Sequence, residues 1–419
     1  MQITIKLKGF LKISFFIAIT VAAVSYMAYK AYYYISYKKI MYETDQKQKR
    51  KLKFQAVVKV NDHSTKGYLL LSSIATYHGK NLSSIIILDP GGQVLMQKQM
   101  DGIIYDFRQW HNDGHTFYSY AINNNEDSIA NKLSSCGHIV MLDSALNETK
   151  QIHFRSSGDI VVNKKQDLDL HDFIMLSGSH YITMATYPKT VNNIPSCLFP
   201  AAVNRILVPI IQEIRNDSVI WQWDASRYPE FYLSSNSGNK FYDTTTTQDY
   251  VHMNSMTIDP RDSNLILSFL NQNQVLKINR HSGDIMWRLG GRNSDFALTS
   301  DKVFLRQHNA TLTDSGKTLL LLDNGDDSIR AYSRVLEFKL DEQNKTVTSF
   351  KSYSIPARII GSRGSVQKIN DDYVICGGIS NYILVVNSIT GAKKTEIKAN
   401  QSFYRAYLVD NIAGVKTNP

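Results

Sequence analysis

Three histidines stand at the start of three strand-like runs, and this shared position is the strongest chemical signal in the chain. His171 opens HDFIMLSGSHYIT, His252 opens HMNSMTIDPRDSNLIL and His308 opens HNATLTDSGKTLLL. Imidazole can act as a nucleophile or as a general acid near neutral pH. Three unrelated histidines would rarely fall at one repeat position, so the pattern indicates a shared site. The alternative is that each imidazole caps a strand or hydrogen-bonds to a neighbouring repeat.

The elements that position these histidines are short β-strands. Beyond residue 54 no 3.6-residue apolar period is sustained, and Val, Ile, Leu and Tyr runs alternate with Asn, Asp, Ser and Gly turns. Six runs share an apolar strand, a polar turn and a second strand. Their turns fall at Asp89, Asp143, Arg215, Asn279, Asp341 and Asn387. The spacings vary from 46 to 72 residues, which indicates loop insertions within a repeated unit.

A further strand pair precedes each hairpin, as in GYLLLSSIATY from Gly67, so the pattern predicts four strands in each of six repeats. That is an all-β fold, a six-bladed β-propeller over 54–419, in which radial repetition leaves few exposed sheet edges. Either FQAVVKV from Phe54 or FYRAYLV from Phe403 is expected to complete the terminal blade. The rival fold is a set of separate β-sandwich domains. In a propeller the innermost strands line the central axis, so the three histidines are expected to converge there.

Several segments resemble the core signature of the arylsulfotransferase family, whose members are six-bladed propellers. They are HMNSMTIDP from His252, LILSFLNQNQVLKINRHSGDIMWRLGG from Leu265, RQHNATLTDSGKTLLLLDNG from Arg306 and YSRVLEFKLDE from Tyr332. The resemblance implies transfer of a sulfuryl group from a phenolic sulfate ester to a phenol, without a nucleotide donor and through a sulfated histidine. A departing sulfuryl group develops charge on its oxygens, so cationic and hydrogen-bonding groups would lower the barrier.

The resemblance also implies roles for individual residues. His252, His308 and Arg334 are the expected catalytic residues: the imidazoles would bind the sulfuryl or phenolic oxygen, and Arg334 would clamp the sulfuryl group. His171, Asn254 and Asn324 are the expected substrate-binding residues. The alternative for both asparagines is an ordinary role in turns. The expected ligand is an aromatic or sulfated small molecule.

One departure from the family pattern concerns the nucleophile. The active members use a further axial histidine from a later blade, and this chain has no histidine after His308. The corresponding region reads GSRGSVQKIN, so Arg363, Gly364 or Ser365 stands there. His171 could substitute, since it also begins an inner strand. A second function is therefore considered, a catalytically inactive, membrane-anchored propeller that serves as a binding or assembly module for a protein partner.

Charge and composition exclude other classes. Of the net charge of +10, residues 1–53 carry +9, so the remainder lacks the positive field that a nucleic-acid partner requires. No GxxxxGK run is present, and no cofactor is expected. His111 and His115 have the spacing of a helical zinc pair, but Asp113 and Gly114 between them favour a turn, so no metal site is predicted.

The N-terminal segment predicts a membrane anchor. Residues 13–29 hold no charge, and 1–12 form a short basic tail. The predicted span is 13–36, followed by a basic stalk over 37–53. Tyrosines follow the apolar run where a signal peptide would have small residues, so an uncleaved anchor is favoured. The expected topology is single-pass, with the propeller on the periplasmic or extracytoplasmic side.

The three cysteines, Cys136, Cys197 and Cys376, leave two arrangements open. None forms a CxxC pair or has the spacing of zinc ligands. One disulfide with a free thiol and three buried thiols fit the sequence equally well.

Overall fold

The computed structural model describes residues 2–77, 80–112, 114–123, 137–163, 167–355 and 358–412. Contacts divide the chain into two compact units, 1–53 and 54–419. The first unit is one long helix, α1 (Gln2–Leu52).

The apolar part of this helix does not meet the requirements for a membrane span. No helical segment in the described residues combines the length and the apolar character that a bilayer crossing requires. The transmembrane span predicted at 13–36 is therefore not supported. Helix α1 is continuous there, but Lys30 and five tyrosines between Tyr26 and Tyr34 make this stretch less apolar than one of Leu or Ile. The extracytoplasmic location of the propeller stays a prediction.

The second unit is a six-bladed β-propeller, as the sequence predicts. From the axis outward, blade 1 contains β25 (Ser402–Val409), β2 (Tyr68–Tyr77), β3 (Lys80–Leu88) and β4 (Val94–Asp101). Blade 2 contains β5 (Ile103–Asn112), β6 (His115–Asn123), β7 (Gly137–Leu142) and β8 (Glu148–Ile152). Blade 3 contains β9 (Phe173–Ser177), β10 (His180–Val191), β11 (Asn204–Arg215) and β12 (Ser218–Asp224).

The remaining blades have the same antiparallel order. Blade 4 contains β13 (Met253–Ile258), β14 (Leu265–Phe269), β15 (Gln274–Ile278) and β16 (Ile285–Gly290). Blade 5 contains β17 (His308–Thr313), β18 (Thr318–Asp323), β19 (Arg334–Asp341) and β20 (Thr346–Ser354). Blade 6 contains β21 (Ser365–Ile369), β22 (Asp372–Cys376), β23 (Tyr382–Asn387), β24 (Lys393–Ala399) and β1 (Ala56–Asn61). A short helix, α2 (Glu230–Ser234), lies between blades 3 and 4.

Both ends of the propeller sequence close the ring. Strand β25 forms the inner strand of blade 1, where Tyr407 pairs with Leu70, and β1 adds an outer strand to blade 6, where Val58 pairs with Ile397. The two segments proposed as alternatives for closure are therefore both used. Because β25 supplies the inner strand, GYLLLSSIATY forms the single strand β2 and not the expected strand pair.

The outer hairpins match the sequence pattern in all six blades. Each turn residue named above ends the third strand of its blade or directly follows it. In blade 4 the second and third strands, β14 and β15, are buried along their whole length because neighbouring blades cover both faces. Blades 4 and 5 are also joined by Lys277, which is buried and contacts Asp259 at 2.7 Å and Glu342 at 2.9 Å.

The cysteine predictions can be examined at two of the three positions. Cys136 lies outside the described residues. Cys197 is exposed and Cys376 is buried, and both are free thiols. Burial raises the pKa of Cys376 to about 12, so this thiol stays protonated at neutral pH.

Candidate functional site

The candidate site lies where the six inner strands begin. Strands β25, β5, β9, β13, β17 and β21 contact one another across blade boundaries. The starts of β9, β13, β17 and β25 lie at the same end of the axis, because the His171 ring is 5.1 Å from that of His252, 6.2 Å from that of His308 and 6.2 Å from that of Tyr404. Residues at the start of these strands therefore converge although they are far apart in the sequence.

The structure brings His171, His252 and His308 together with Tyr404 in one group, called here the histidine cluster. Its ring centroids are 5.1 Å apart for His171 and His252, and 6.2 Å for His171 and His308. The Tyr404 ring lies 5.7 Å from that of His308, and its hydroxyl donates to the His171 carbonyl at 3.0 Å. A ligand the size of a sulfuryl group could contact more than one of these rings.

His171 is held by a buried carboxylate. Its Nδ1 lies 2.5 Å from Oδ1 of Asp169, and the hydroxyl of Thr186 donates to the other carboxylate oxygen at 2.6 Å. Burial alone would raise the pKa of Asp169, but the charge of His171 and these hydrogen bonds outweigh burial and lower it. Asp169 is therefore a fixed negative charge that orients the imidazole.

His252 is paired in a similar way but is more accessible. Its Nδ1 lies 2.6 Å from Oδ2 of Asp249, and its side chain is 31% exposed. Burial acts to lower the pKa of His252, but the Asp249 charge and hydrogen bond outweigh it, so the net pKa is raised above 6.5. His252 is thus the ring in this cluster that the structure favours in its protonated form.

His308 has the opposite environment. Its Nδ1 donates to the carbonyl oxygen of Gly364 at 2.8 Å, and the residue is only 3% exposed. Burial, with the nearby positive charge of Arg405 and the two other imidazoles, lowers its pKa well below 6.5. His308 is therefore neutral near pH 7 with its proton on Nδ1, which leaves the lone pair on Nε2.

The ε nitrogens of the three rings are the unused atoms of the cluster. Within the described part of the chain, the hydrogen bonds of the His171, His252 and His308 imidazole rings engage only Nδ1. A carboxylate or carbonyl on one side of each ring thus fixes the tautomer and leaves the opposite nitrogen for a ligand.

The two predicted asparagines connect neighbouring blades at this end of the axis. Asn254 donates from Nδ2 to the carbonyl of Gln307 at 2.8 Å, directly before His308. Asn324 donates to the carbonyl of Arg363 at 3.0 Å, directly before Gly364. Both amide oxygens are buried without a hydrogen-bond partner in the described structure. The asparagines therefore position the backbone on both sides of the His308 hydrogen bond.

Arg334 lies in a separate group of contacts. Its guanidinium pairs with the buried Asp323 at 2.7 Å and donates to the carbonyls of Asp301 at 2.8 Å and Val303 at 2.6 Å. No contact among the described residues joins it to the histidines. Since its donors are occupied by the protein, this placement favours a structural role, and the expected sulfuryl clamp stays a prediction.

Sequence reasoning missed a buried ionic group on the same axis, called here the axial ion network. Arg405 pairs with Asp106 at 3.2 Å and Asp172 at 3.3 Å, and Arg108 pairs with the same two carboxylates. The Tyr407 hydroxyl donates to Asp106 at 2.5 Å. The sequence did contain a signal for this network, because inner-strand segments such as FYRAYLV hold a charged residue among apolar ones. A charged side chain avoids the apolar interface between blades and therefore faces the axis.

The comparison with protein families identifies the chain's relatives. The profile described as Arylsulfotransferase (ASST) matches residues 39–408. The chain belongs to the arylsulfotransferase family. This agrees with the resemblance seen in the sequence, and it supports a function of the sulfuryl-transfer type. No curated protein matches the chain.

Solved structures similar to this arylsulfotransferase-family propeller are distant from it. A protein of unknown function from Bacteroides caccae is 9% identical, with a TM-score of 0.45, and the match covers 82% of this chain and 98% of the other. A putative 6-phosphogluconolactonase from Bacteroides fragilis is 12% identical, with a TM-score of 0.40, over 84% of this chain and 99% of the other. Similarities at this level carry no information about activity.

The departure from the family's nucleophile pattern falls beside His308. Arg363 and Gly364 directly precede strand β21, and Ser365 begins that strand. The Gly364 carbonyl accepts from His308, and the buried Ser365 hydroxyl donates to the carbonyl of Ala406 at 3.3 Å. The region without the family histidine thus contributes to the environment of the remaining buried imidazole.

Proposed function

We propose that this chain transfers a sulfuryl group from an aryl sulfate ester to a phenol, with His308 as the nucleophile and His252 as the acid and base. The observation that carries this proposal is the convergence of three imidazoles whose Nε2 atoms have no partner in the described structure, with a carboxylate at Nδ1 of His252 and a backbone carbonyl at Nδ1 of His308. These surroundings lower the pKa of His308 and raise that of His252. Two titratable groups whose pKa values are driven apart by their surroundings are suited to the two roles.

The first step would form a nitrogen–sulfur bond. The Nε2 lone pair of His308 attacks sulfur, the bond from sulfur to the aryl oxygen breaks, and that oxygen leaves with the electron pair. His252 gives its proton to the departing oxygen, so a neutral phenol is released. The sulfated ring of His308 carries positive charge, which strengthens the hydrogen bond from Nδ1 to the Gly364 carbonyl.

The second step would reverse these roles. Neutral His252 takes the proton of an acceptor phenol, whose oxygen attacks sulfur as the bond to Nε2 breaks. His308 regains its lone pair, and His252 is protonated again. No nucleotide or other cofactor enters either step.

An aromatic side chain beside the cluster supports an aryl ligand. Tyr105 is partly exposed, and its ring packs against that of the buried Tyr404 at 4.8 Å in an edge-on arrangement. An aryl ring of donor or acceptor can pack against Tyr105 while its oxygen faces the histidines, because aromatic rings favour such offset and edge-on contacts.

The test uses the full chain with 4-nitrophenyl sulfate as donor and phenol as acceptor. We expect release of 4-nitrophenol together with formation of phenyl sulfate, and a loss of about 10³-fold or more in His308→Gln. The matched control is His153→Gln, since His153 also bonds to a carboxylate through Nδ1, at 2.6 Å from Asp167, but follows the outer strand of blade 2. This control should keep wild-type turnover.

Two results would contradict the proposal. One is wild-type activity in His308→Gln, and the other is absence of turnover in folded wild-type protein with any aryl sulfate. The second result would favour the inactive binding module, which the lack of a histidine after His308 also suggests. Mass spectrometry of the quenched reaction without acceptor should place one sulfuryl group on the peptide that contains His308.

A further inference from the structure

His171 has no role in the two steps above, although several contacts hold it in place. The carboxylate of Asp169 accepts from the His171 backbone N–H at 3.0 Å and lies 2.5 Å from Nδ1 of the ring. Its second oxygen accepts from the Thr186 hydroxyl at 2.6 Å, and the Asp169 backbone N–H donates to the carbonyl of Met184 at 2.9 Å. Strand β10 thus holds Asp169, and Asp169 holds the imidazole.

The His171 ring lies on the buried side of the histidine cluster. Its centroid is 5.1 Å from that of His252 and 6.2 Å from that of His308. His171 is 9% exposed, whereas the side chain of His252 is 31% exposed. A sulfuryl group bonded to Nε2 of His308 therefore has His171 as a further imidazole neighbour, away from the solvent side where His252 meets the aryl oxygen.

No guanidinium is placed to supply positive charge to the sulfuryl oxygens. The family resemblance implies that Arg334 clamps them, but a buried carboxylate and two backbone carbonyls occupy its donors. Arg405 lies against the Tyr404 ring at 5.2 Å and pairs with Asp106 and Asp172. In the described ranges, no Lys or Arg side chain forms a hydrogen bond or ion pair with any ring of the cluster. The positive charge must then come from the imidazoles.

The contact with Asp169 decides which form of His171 can bind an anion. Burial acts to raise the pKa of Asp169, but the His171 charge and the hydrogen bonds outweigh it, so the carboxylate is ionised and only accepts. Nδ1 therefore keeps its proton. In the neutral ring, Nε2 holds a lone pair and repels a sulfuryl oxygen, whereas in the charged ring it donates a proton to that oxygen. Anion binding by His171 thus requires the charged ring.

The charges of the cluster limit the charge of its ligand. Asp169 and Asp249 contribute two negative charges, and His308 is neutral. Charged His171 and His252 balance these carboxylates and still present one N–H each, which suits the single negative charge of a sulfate ester. A dianion would bring an additional negative charge that no described side chain balances in this largely buried site.

The other titratable groups that face the His171 ring do not alter this balance. Tyr404, from β25, stays neutral because burial raises its pKa. Tyr105, from β5, packs against Tyr404, and burial raises its pKa as well. Asp172, the next residue along the chain, is compensated by Arg108 and Arg405.

We propose that His171 in its charged form binds the sulfuryl oxygens, that Asp169 positions it, and that the site accepts monoanionic sulfate esters but not dianionic phosphate esters of the same phenols. The identity of the bound group as a sulfuryl group rests on the proposed function. His171 forms no covalent bond in this role, and the proton transfer remains with His252. Binding of the anion does not depend on turnover.

The first test measures the affinity of the full chain for 4-nitrobenzenesulfonate at different pH values by isothermal titration calorimetry. This probe is a monoanion throughout, and sulfuryl transfer does not break its carbon–sulfur bond. In the alkaline range, where both rings are neutral without the probe, His171 and His252 must each gain a proton, so log Kd should rise by about 2 per pH unit. His171→Gln keeps a neutral N–H donor, so its log Kd should rise by about 1 per pH unit.

The second test compares this probe with 4-nitrophenylphosphonate, which has the same shape and is a dianion at about pH 8. Wild type should bind the sulfonate about tenfold more tightly, as one unbalanced charged group implies. Asp169→Asn removes a negative charge, while its amide oxygen can still accept from Nδ1 of His171, so the preference should largely disappear. The matched control is Asp167→Asn, because Asp167 bonds to His153 outside the cluster. This control should keep the wild-type preference and the wild-type pH dependence.

The outcomes separate this proposal from the proposed function. A wild-type rise of only about 1 per pH unit overturns the role of His171, even if the chain transfers sulfuryl groups. This measurement needs no variant, so it decides the question even where a substitution prevents folding. Equal pH dependence of His171→Gln and wild type, or a probe preference that Asp169→Asn leaves unchanged, also overturns the proposal. A two-proton dependence that His171→Gln reduces to one proton supports it, even if no turnover is found.

Discussion

The axial ion network and the histidine cluster lie on the same axis but differ in how their polar atoms are used. In the network, Asp106 and Asp172 each contact both Arg405 and Arg108. In the cluster, only one nitrogen of each imidazole has a partner among the described residues. The ion pairs of the network lie within the protein and hold the blades together, whereas the Nε2 atoms of the cluster have no partner in the described structure and are available to a ligand.

The same comparison separates the arginines. The Arg334 guanidinium donates to Asp323 and to two backbone carbonyls, so its contacts resemble those of the axial ion network. Arg306 and Arg363 form no ion pair with a carboxylate within the described residues, so they differ from Arg334 in this respect. Side-chain type alone does not distinguish these arginines.

The largest effect should come from the network. Arg405→Met leaves two buried carboxylates with only Arg108 for compensation, and removal of one partner from a buried ion group costs about 3–5 kcal/mol. Urea denaturation should show this loss in the free energy of unfolding. His308→Gln should change that free energy far less. Equal stability of Arg405→Met and wild type would contradict the structural role of the network.

A smaller loss is expected at Arg334. In Arg334→Met, Asp323 keeps Arg330 at 2.7 Å but loses its second guanidinium. We expect a cost of about 1–3 kcal/mol in the free energy of unfolding, with little change in KM for the aryl sulfate measured well below the melting temperature. A large rise in KM without loss of stability would instead support the clamp role implied by the family resemblance.

The pH dependence tests the opposite shifts within the cluster. Activity needs neutral His308 and protonated His252, so kcat/KM should be maximal between the lowered pKa of His308 and the raised pKa of His252. It should fall in acid as His308 gains a proton and in alkali as His252 loses one. Asp249→Asn removes the charge that raises the His252 pKa, so its alkaline limb should move down by about 1–2 pH units.

The control for this shift is Asp167→Asn, which removes a carboxylate from His153 outside the cluster and should leave the profile unchanged. Asp249→Glu keeps a carboxylate at this position, so its alkaline limb should lie at higher pH than that of Asp249→Asn. A profile of Asp249→Asn identical to that of wild type would show that Asp249 does not set the protonation of the acid.

The smallest effects are expected at the asparagines that connect blades. Asn254→Ala and Asn324→Ala each remove one hydrogen bond to a backbone carbonyl, worth about 1 kcal/mol of stability. Because these bonds position the backbone beside His308, kcat should fall a few-fold while KM changes little. A loss as large as that in His308→Gln would mean that an asparagine contacts the substrate directly.

The sequence predicted the blade count and the outer hairpins because each depends on local alternation and turn residues, as at Asn279 and Asp341. It also indicated that His171, His252 and His308 lie together, because closure of the propeller brings residues at the same position of each blade to one place on the axis. It did not distinguish Arg334 from Arg363. Arg334 forms an ion pair with Asp323, and only the fold brings these two side chains together. The tautomer of His308 likewise depends on a carbonyl 56 residues away.

The most direct test is heteronuclear NMR of histidine-labelled protein, which reports the protonation state and tautomer of each imidazole. At pH 6.5 the account predicts that His308 is neutral with its proton on Nδ1, while His252 is predominantly charged. A charged His308 at that pH, or a neutral His308 with its proton on Nε2, would contradict the account, because no lone pair would then face the ligand.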